Sequence, residues 1–326
     1  MGVWGWVAVF AGGAALLVRA GAALAAAADE VADRTGLRRL FAGALIMAVV
    51  TSLPELVTDV AAVRAGSPDL AVGDLLGASM ANVAILAGID LLHRGGVRAA
   101  AGVGHARLAA VAVVLTALAA LAVVRPPGVS LGWVGLDTIG VATAYVAALA
   151  WLRRREGTVA QGGPERDGAT AALAIRRLVV SAAGVMAAAP VVAVAARKIA
   201  RGSGISETAM GTSLLALTTT APELVTSLAA VRLGAHDLAV GNLFGSNAAN
   251  MALLVVVDAA ATRGPLLASV DPAQVVAALV AIVLMALALA VTVGGTEVRV
   301  GRLEPDAVVV LVAYVAGLVA VAAAAG

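Results

Sequence analysis

Cysteine is absent, histidine occurs three times, and aromatic residues make up only 3% of the 326 positions. Without cysteine there are no disulfides, no thiolate metal ligands and no thiol nucleophile. The histidines, His93, His105 and His236, fall in connections between apolar runs without ligand spacing. A membrane-embedded hydrolase would need a nucleophile–base pair or metal cluster, and no His or Cys lies in the expected spans to provide it. Charge is sparse too, at 13%. The longest polar stretch, 153–177, is too short to hold a core of its own. Nothing resembles a soluble catalytic or nucleic-acid-binding domain, and no enzyme activity or cofactor is expected. The first six residues carry no basic side chain, so residues 3–28 read as a retained span rather than a cleaved leader.

What remains is apolar: 62% of the residues are hydrophobic and the mean hydropathy is +1.01. That composition suits a bundle of spanning helices. With so few aromatics, alanine, valine and leucine must face the lipid, and the 36 glycines let helix backbones approach closely. Apolar runs place helices near 3–28, 40–63, 70–92, 106–124, 131–152, 178–196, 208–231, 238–260, 272–294 and 306–325. Trp4, Trp6, Trp133 and Trp151 lie near span ends, where amphipathic rings settle. Of the 22 Lys and Arg, 15 belong to the odd-numbered connections and 6 to the even-numbered ones. That bias puts the odd connections in the cytoplasm and both termini outside. The expected protein is an all-α, multi-pass integral membrane protein, most simply of the cell membrane. Its ten transmembrane helices divide into five-helix halves, 1–152 and 178–326, joined by a cytoplasmic linker at 153–177.

The halves share a duplicated stretch. Residues 36–90 recur at 204–258 with an offset of 168. The first copy carries Thr51-Ser52-Leu53-Pro54-Glu55, then Gly73-Asp74-Leu75-Leu76-Gly77-Ala78-Ser79-Met80-Ala81-Asn82. The second carries Thr219-Thr220-Ala221-Pro222-Glu223, then Gly241-Asn242-Leu243-Phe244-Gly245-Ser246-Asn247-Ala248-Ala249-Asn250. Homologous halves with an odd number of spans insert in opposite senses, which makes an inverted repeat. Transporters of that design bind ions near the midplane.

The residue types suit a hard cation. Pro54 has no N–H, so the carbonyl of Val50 loses its helical partner beside Glu55. A freed carbonyl, a carboxylate and the hydroxyls of Thr51 and Ser52 form an oxygen set for Ca2+ or Na+. Thr218, Thr219, Thr220, Pro222 and Glu223 repeat it. Prolines also occur as plain kinks in spanning helices. A carboxylate at a bilayer centre, by contrast, costs roughly 2.5–3.5 kcal/mol or more and marks function or a buried pair. Positions 74, 78 and 82 share one helix face, as do 242, 246 and 250. Glycine-flanked stripes of this kind serve equally as packing seams. Their fixed spacing from the glutamates makes them candidate ligands. Asp59 and its counterpart Ser227 lie one turn beyond the glutamates, as vestibule or interfacial groups.

Both copies resemble the α-repeats of the calcium/cation antiporter superfamily, and of sodium/calcium exchangers within it. The second copy, from Gly211 to Asn250 with Gly204-Ile205-Ser206-Glu207 ahead of it, carries the closer likeness. The resemblance implies Ca2+ coordination by Glu55 and Glu223. It further implies that Thr51, Thr219, Ser52, Thr220, Asn82, Asn250 and Ser246 complete the Ca2+ and Na+ sites, and that spans 1 and 6 form the moving gate. The sequence departs from the family pattern at Ala78, where a serine is usual, with Ser79 beside it. It departs again at Asn250, which is Asp in some members, and at Asp74 in place of Asn. Asp74 is expected to supply a third negative charge near the site, the alternative being a solvated position near a span end. The expected function is exchange of Ca2+ for Na+ by alternating access. Ca2+/H+ antiport is the alternative, since buried glutamates can carry protons. More distant readings are a gated cation channel and a scaffold with a decayed site.

Overall fold

The offset of the duplicated sequence reappears in the helix bounds. A computed structural model describes residues 2–35, 37–93, 97, 102–126, 128–156, 168–202, 219–294 and 305–324. In chain order its helices are α1 (Val3–Thr35), α2 (Arg39–Arg64), α3 (Pro68–Leu92), α4 (Val103–Val124) and α5 (Leu136–Glu156). The second half has α6 (Gly168–Gly202), α7 (Ala221–Arg232), α8 (His236–Ala260), α9 (Gln274–Gly294) and α10 (Pro305–Ala324). Thus α2 and α7 end, and α3 and α8 both begin and end, 168 residues apart. The turns between them match as well: Gly66 and Gly234 have φ of 86° and 76°, a conformation open chiefly to glycine.

Eight of these helices are long and apolar enough to cross a membrane: α1, α2, α3, α4, α6, α8, α9 and α10. The other two are α5, whose last turn holds Arg153, Arg154 and Arg155, and α7, described over 12 residues. The first part of the span expected at 208–231, including Thr218, lies outside the described residues, as does Glu207. Several helices outrun their apolar cores. α1 continues through its polar end to Thr35, where Glu30 and Arg34 pair at 2.7 Å one turn apart. Helix likewise enters both ends of the stretch 153–177, whose middle lies outside the described residues. At the other extreme, the span expected from residue 131 starts at Leu136. Ser130–Leu131 and Val134–Gly135 form a small antiparallel hairpin, β1 and β2, ahead of it.

The chain packs as two units. One comprises residues 1–54 and 153–246, the other 55–152 and 247–326. Each unit therefore draws on both sequence halves.

In the first unit α1 lies antiparallel along α6. Leu17 and Leu24 bury against Val185, Ala188 and Val192, and Glu30 reaches Arg177 at 3.0 Å. α7 packs on α1, where a Cβ at Gly21 would fall 2.6 Å from Val225. The tightest seam joins α2 to α8. A Cβ at Gly241 would come 2.6 Å from the Leu40 carbonyl oxygen, one at Gly43 would reach 2.8 Å from the Asn242 nitrogen, and one at Gly245 would strike Ala44. On the α2 side this seam is a π-helical segment, Ala42–Met47, a widening often found at functional positions.

In the second unit α9 packs on α3, α4 and α10, and α10 also packs on α3. Asp258, fully buried at the end of α8, ties the connections together. Its carboxylate accepts from the backbone N–H of Gly135 (2.8 Å) and Leu266 (2.8 Å) and from the Thr138 hydroxyl (2.6 Å).

Candidate cation site

All ten candidate residues are buried: Thr51, Ser52, Glu55, Asp74, Asn82, Thr219, Thr220, Glu223, Ser246 and Asn250. For the polar ones that is the first requirement of a midplane site. Six of them lie in the first packing unit and four, Glu55, Asp74, Asn82 and Asn250, in the second.

The first unit's cluster centres on Glu223. Ser52 Oγ donates to Glu223 Oε1 at 3.4 Å and Ser246 Oγ donates to the same oxygen at 3.5 Å. Thr51 also borders this carboxylate, with its hydroxyl donating to the Met47 carbonyl at 3.0 Å. Hydroxyls from both sequence copies thus converge on one acid. Glu223 Oε2 has no hydrogen-bond partner among the described residues. Asn242 lies beside this group, donating from Nδ2 to Ser227 Oγ (3.0 Å) and Thr226 Oγ1 (3.2 Å). Its Oδ1 is 3.5 Å from Thr51 Oγ1.

Local structure presents Glu223 differently from its counterpart. α2 runs through Pro54 without stopping. In the second copy α7 begins at Ala221, with Thr220 at ψ 3° ahead of it. Pro222 then sits in the first turn, where its missing N–H leaves no ladder bond unmade. Glu223 occupies that same first turn, and the positive end of the helix dipole favours its carboxylate.

The second unit holds Glu55, Asp59, Asp74, Asn82, Asn247 and Asn250, all buried. Asn82 Nδ2 donates to Asn247 Oδ1 at 2.9 Å, and Asn247 Nδ2 donates to the Ser79 carbonyl at 3.2 Å. Asn82 Oδ1 and both polar atoms of the Asn250 amide have no hydrogen-bond partner among the described residues. Asp59 and Asp74 lie within hydrogen-bonding reach of each other. Asp74 is 5% exposed, so the solvated position at a span end is not the one it takes. Ser79, next to Ala78, donates its hydroxyl to the Leu75 carbonyl at 2.9 Å.

Sequence reasoning passed over Asn247, which bridges α3 and α8. The signal available was its place at the offset from Ser79, next to Ser246. The glycines also divide. Gly241 and Gly245 meet α2 backbone, whereas Gly73 meets only the flexible side chain of Gln274, 3.5 Å away.

Buried carboxylates, amides and hydroxyls enclosed by apolar spanning helices define a multi-pass integral membrane protein with an interior polar site. The sodium/calcium exchanger protein family matches residues 5–152 and 173–323, and the chain belongs to that family of membrane transporters. It is 25% identical over 223 residues to the uncharacterized membrane protein MJ0091 of Methanocaldococcus jannaschii, covering 68% of this chain and 71% of that one. It is 28% identical over 274 residues to the inner membrane protein YrbG of Escherichia coli, covering 80% of each. A structure of the sodium-calcium exchanger NCX_Mj soaked with Na+ and Ca2+ shares its fold. The TM-score is 0.74 at 21% identity, over 98% of this chain and 99% of that one.

Proposed function

We propose that this protein is a secondary-active antiporter that exchanges Ca2+ for Na+ across the cell membrane by alternating access. The observation that carries the reading is the environment of Glu223. A fully buried carboxylate is met by hydroxyls from both copies, and one of its oxygens is left without a partner. Buried acceptors without partners are costly, and a hard cation held by carboxylate, hydroxyl and amide oxygens satisfies them. Glu223 with Thr51, Ser52, Thr219, Thr220 and Ser246 supplies one group of oxygens. Glu55 with Asn82 and Asn250 supplies the other, and the duplication of sequence pairs them. Two carboxylates neutralise Ca2+, so a loaded site crosses hydrocarbon at lower cost than a bare one. That difference couples the two fluxes.

A second reading, Ca2+/H+ antiport, is favoured by Asp59 and Asp74, neighbouring buried acids that suit proton carriage. In either case we assign ten spans in two inverted halves, 1–152 and 178–326. The joint at 153–177 is cytoplasmic and both termini are outside. Single cysteines introduced into this cysteine-free chain test that orientation by labelling from each side.

The deciding experiment is uptake of 45Ca2+ into proteoliposomes under an outward Na+ gradient or a pH gradient, imposed separately. Uptake driven by Na+ and lost in Glu55→Gln and Glu223→Gln supports the first reading. Uptake driven only by the pH gradient moves the assignment to the second. Flux independent of both gradients means a channel, and no flux removes Ca2+ as substrate.

A further inference from the structure

At the end of the α1–α6 pair that carries Glu30, the two helices enclose a groove of about 620 Å3. Its origin lies in side-chain size. Farther along the same helices the contact is close, and a Cβ at Gly184 would lie 3.0 Å from Ala20. Toward Glu30 the α1 wall consists of Ala23, Ala26 and Ala27, too short to fill the space that opens. Leu173 and Val180 of α6 line the other wall and stay 45% and 64% exposed. The apolar windows of α1 and α6 are largely unburied, so the groove faces hydrocarbon.

Its mouth is basic. Arg176 and Arg177 both line it. Arg177 binds Glu30 Oε2 at 3.0 Å, but Arg34 already holds Glu30 Oε1 at 2.7 Å. Arg176 makes no ion pair or hydrogen bond among the described residues. Two guanidiniums thus share one carboxylate while a third, Arg176, lines the groove without a counter-charge among the described residues, an excess of positive charge beside an apolar slot. Both helix ends belong to the connections rich in Lys and Arg. The charge bias places these at the cytoplasmic leaflet, where anionic lipids concentrate.

We propose that this groove seats one anionic phospholipid. An acyl chain lies along the alanine wall, and the headgroup phosphate binds Arg176 and Arg177. Guanidinium–phosphate pairing is strong and directional, and the volume falls within the usual range for small-molecule sites.

Native mass spectrometry of the full chain, titrated with phosphatidylglycerol or phosphatidylcholine, tests this directly. Wild type is expected to retain phosphatidylglycerol about fivefold better, the size of effect one surface arginine exerts on an anionic lipid. Arg176→Gln is expected to remove that preference. Ala26→Leu, which fills the slot at an exposed position and leaves the charge intact, is expected to lower retention while elution on size exclusion stays unchanged. Equal retention of the two lipids by wild type overturns the proposal, as does undiminished phosphatidylglycerol binding in either variant.

Discussion

The two copies of the repeat place the same residues at the same spacing, and the chain treats them differently. In the first, one helix carries Pro54 and Glu55 in its interior. In the second, a helix begins at Ala221 and carries Glu223 in its first turn. Beyond the glutamates, Ser227 and Thr226 accept from Asn242, whereas Asp59 faces Asp74. Duplicated sequence preserved the bounds of the helices and let the polar contacts between them diverge. Beyond its glutamate, the second copy pairs the Asn242 amide with two neutral hydroxyls. The first holds an additional pair of acids.

The largest expected effect tests what the copies share. Glu55→Gln and Glu223→Gln each remove one carboxylate from the transported cation. Each is expected to cost about 2–5 kcal/mol in its binding, as loss of a buried charge partner does, seen as near-complete loss of 45Ca2+ uptake. A tenfold difference between the two variants would show that the copies are not equivalent ligands.

Next comes packing. Gly241→Ala drives a methyl into the Leu40 carbonyl and is expected to destabilise by about 1–3 kcal/mol, as overpacking does. Gly73→Ala meets only Gln274 and is expected to be neutral or to stabilise by up to about 1 kcal/mol through helix propensity. Thermal unfolding in detergent compares them.

Asp74→Asn gives the first copy the amide of the second. Loss of that charge is expected to weaken Ca2+ by about 1 kcal/mol, roughly fivefold, through the polarisable interior. The half-saturating Ca2+ concentration for uptake measures it, and an unchanged value removes Asp74 from the electrostatics of the site.

The smallest effect is expected from Ala78→Ser, which restores the hydroxyl that Ser246 provides in the other copy. One neutral hydrogen-bonding group is worth about 0.5–1.5 kcal/mol. The gain should appear as a few-fold rise in sensitivity to Na+, since Ser79 has committed its hydroxyl to Leu75.

Much of the fold was legible because apolar runs of about 20 residues have few other uses. Helix ends were less so. Residues 29–35 look like a connection by hydropathy yet remain helical through pairs such as Glu30–Arg34. Local propensity and ion pairing extend helices past the point where apolarity ends. The hairpin at 130–135 was missed for the opposite reason. Its geometry depends on a turn at Gly132, with φ of 66°, inside a stretch that reads as the start of a span. Every candidate site residue proved to be buried, because a polar residue repeated inside an apolar run has to face inward.

Residue order alone dictated a helical membrane protein, its duplicated core and the polar positions on each helix, since burial period and hydrocarbon thickness leave few alternatives. Folding decided which of those polar groups meet. A stripe four residues apart names a helix face and is silent about the face opposite. The backbone contacts of Gly43, Gly241 and Gly245 brought Ser52 and Ser246 to Glu223. A helix that begins at Ala221, where the same Pro–Glu spacing leaves α2 continuous through Pro54, set the direction from which Glu223 enters.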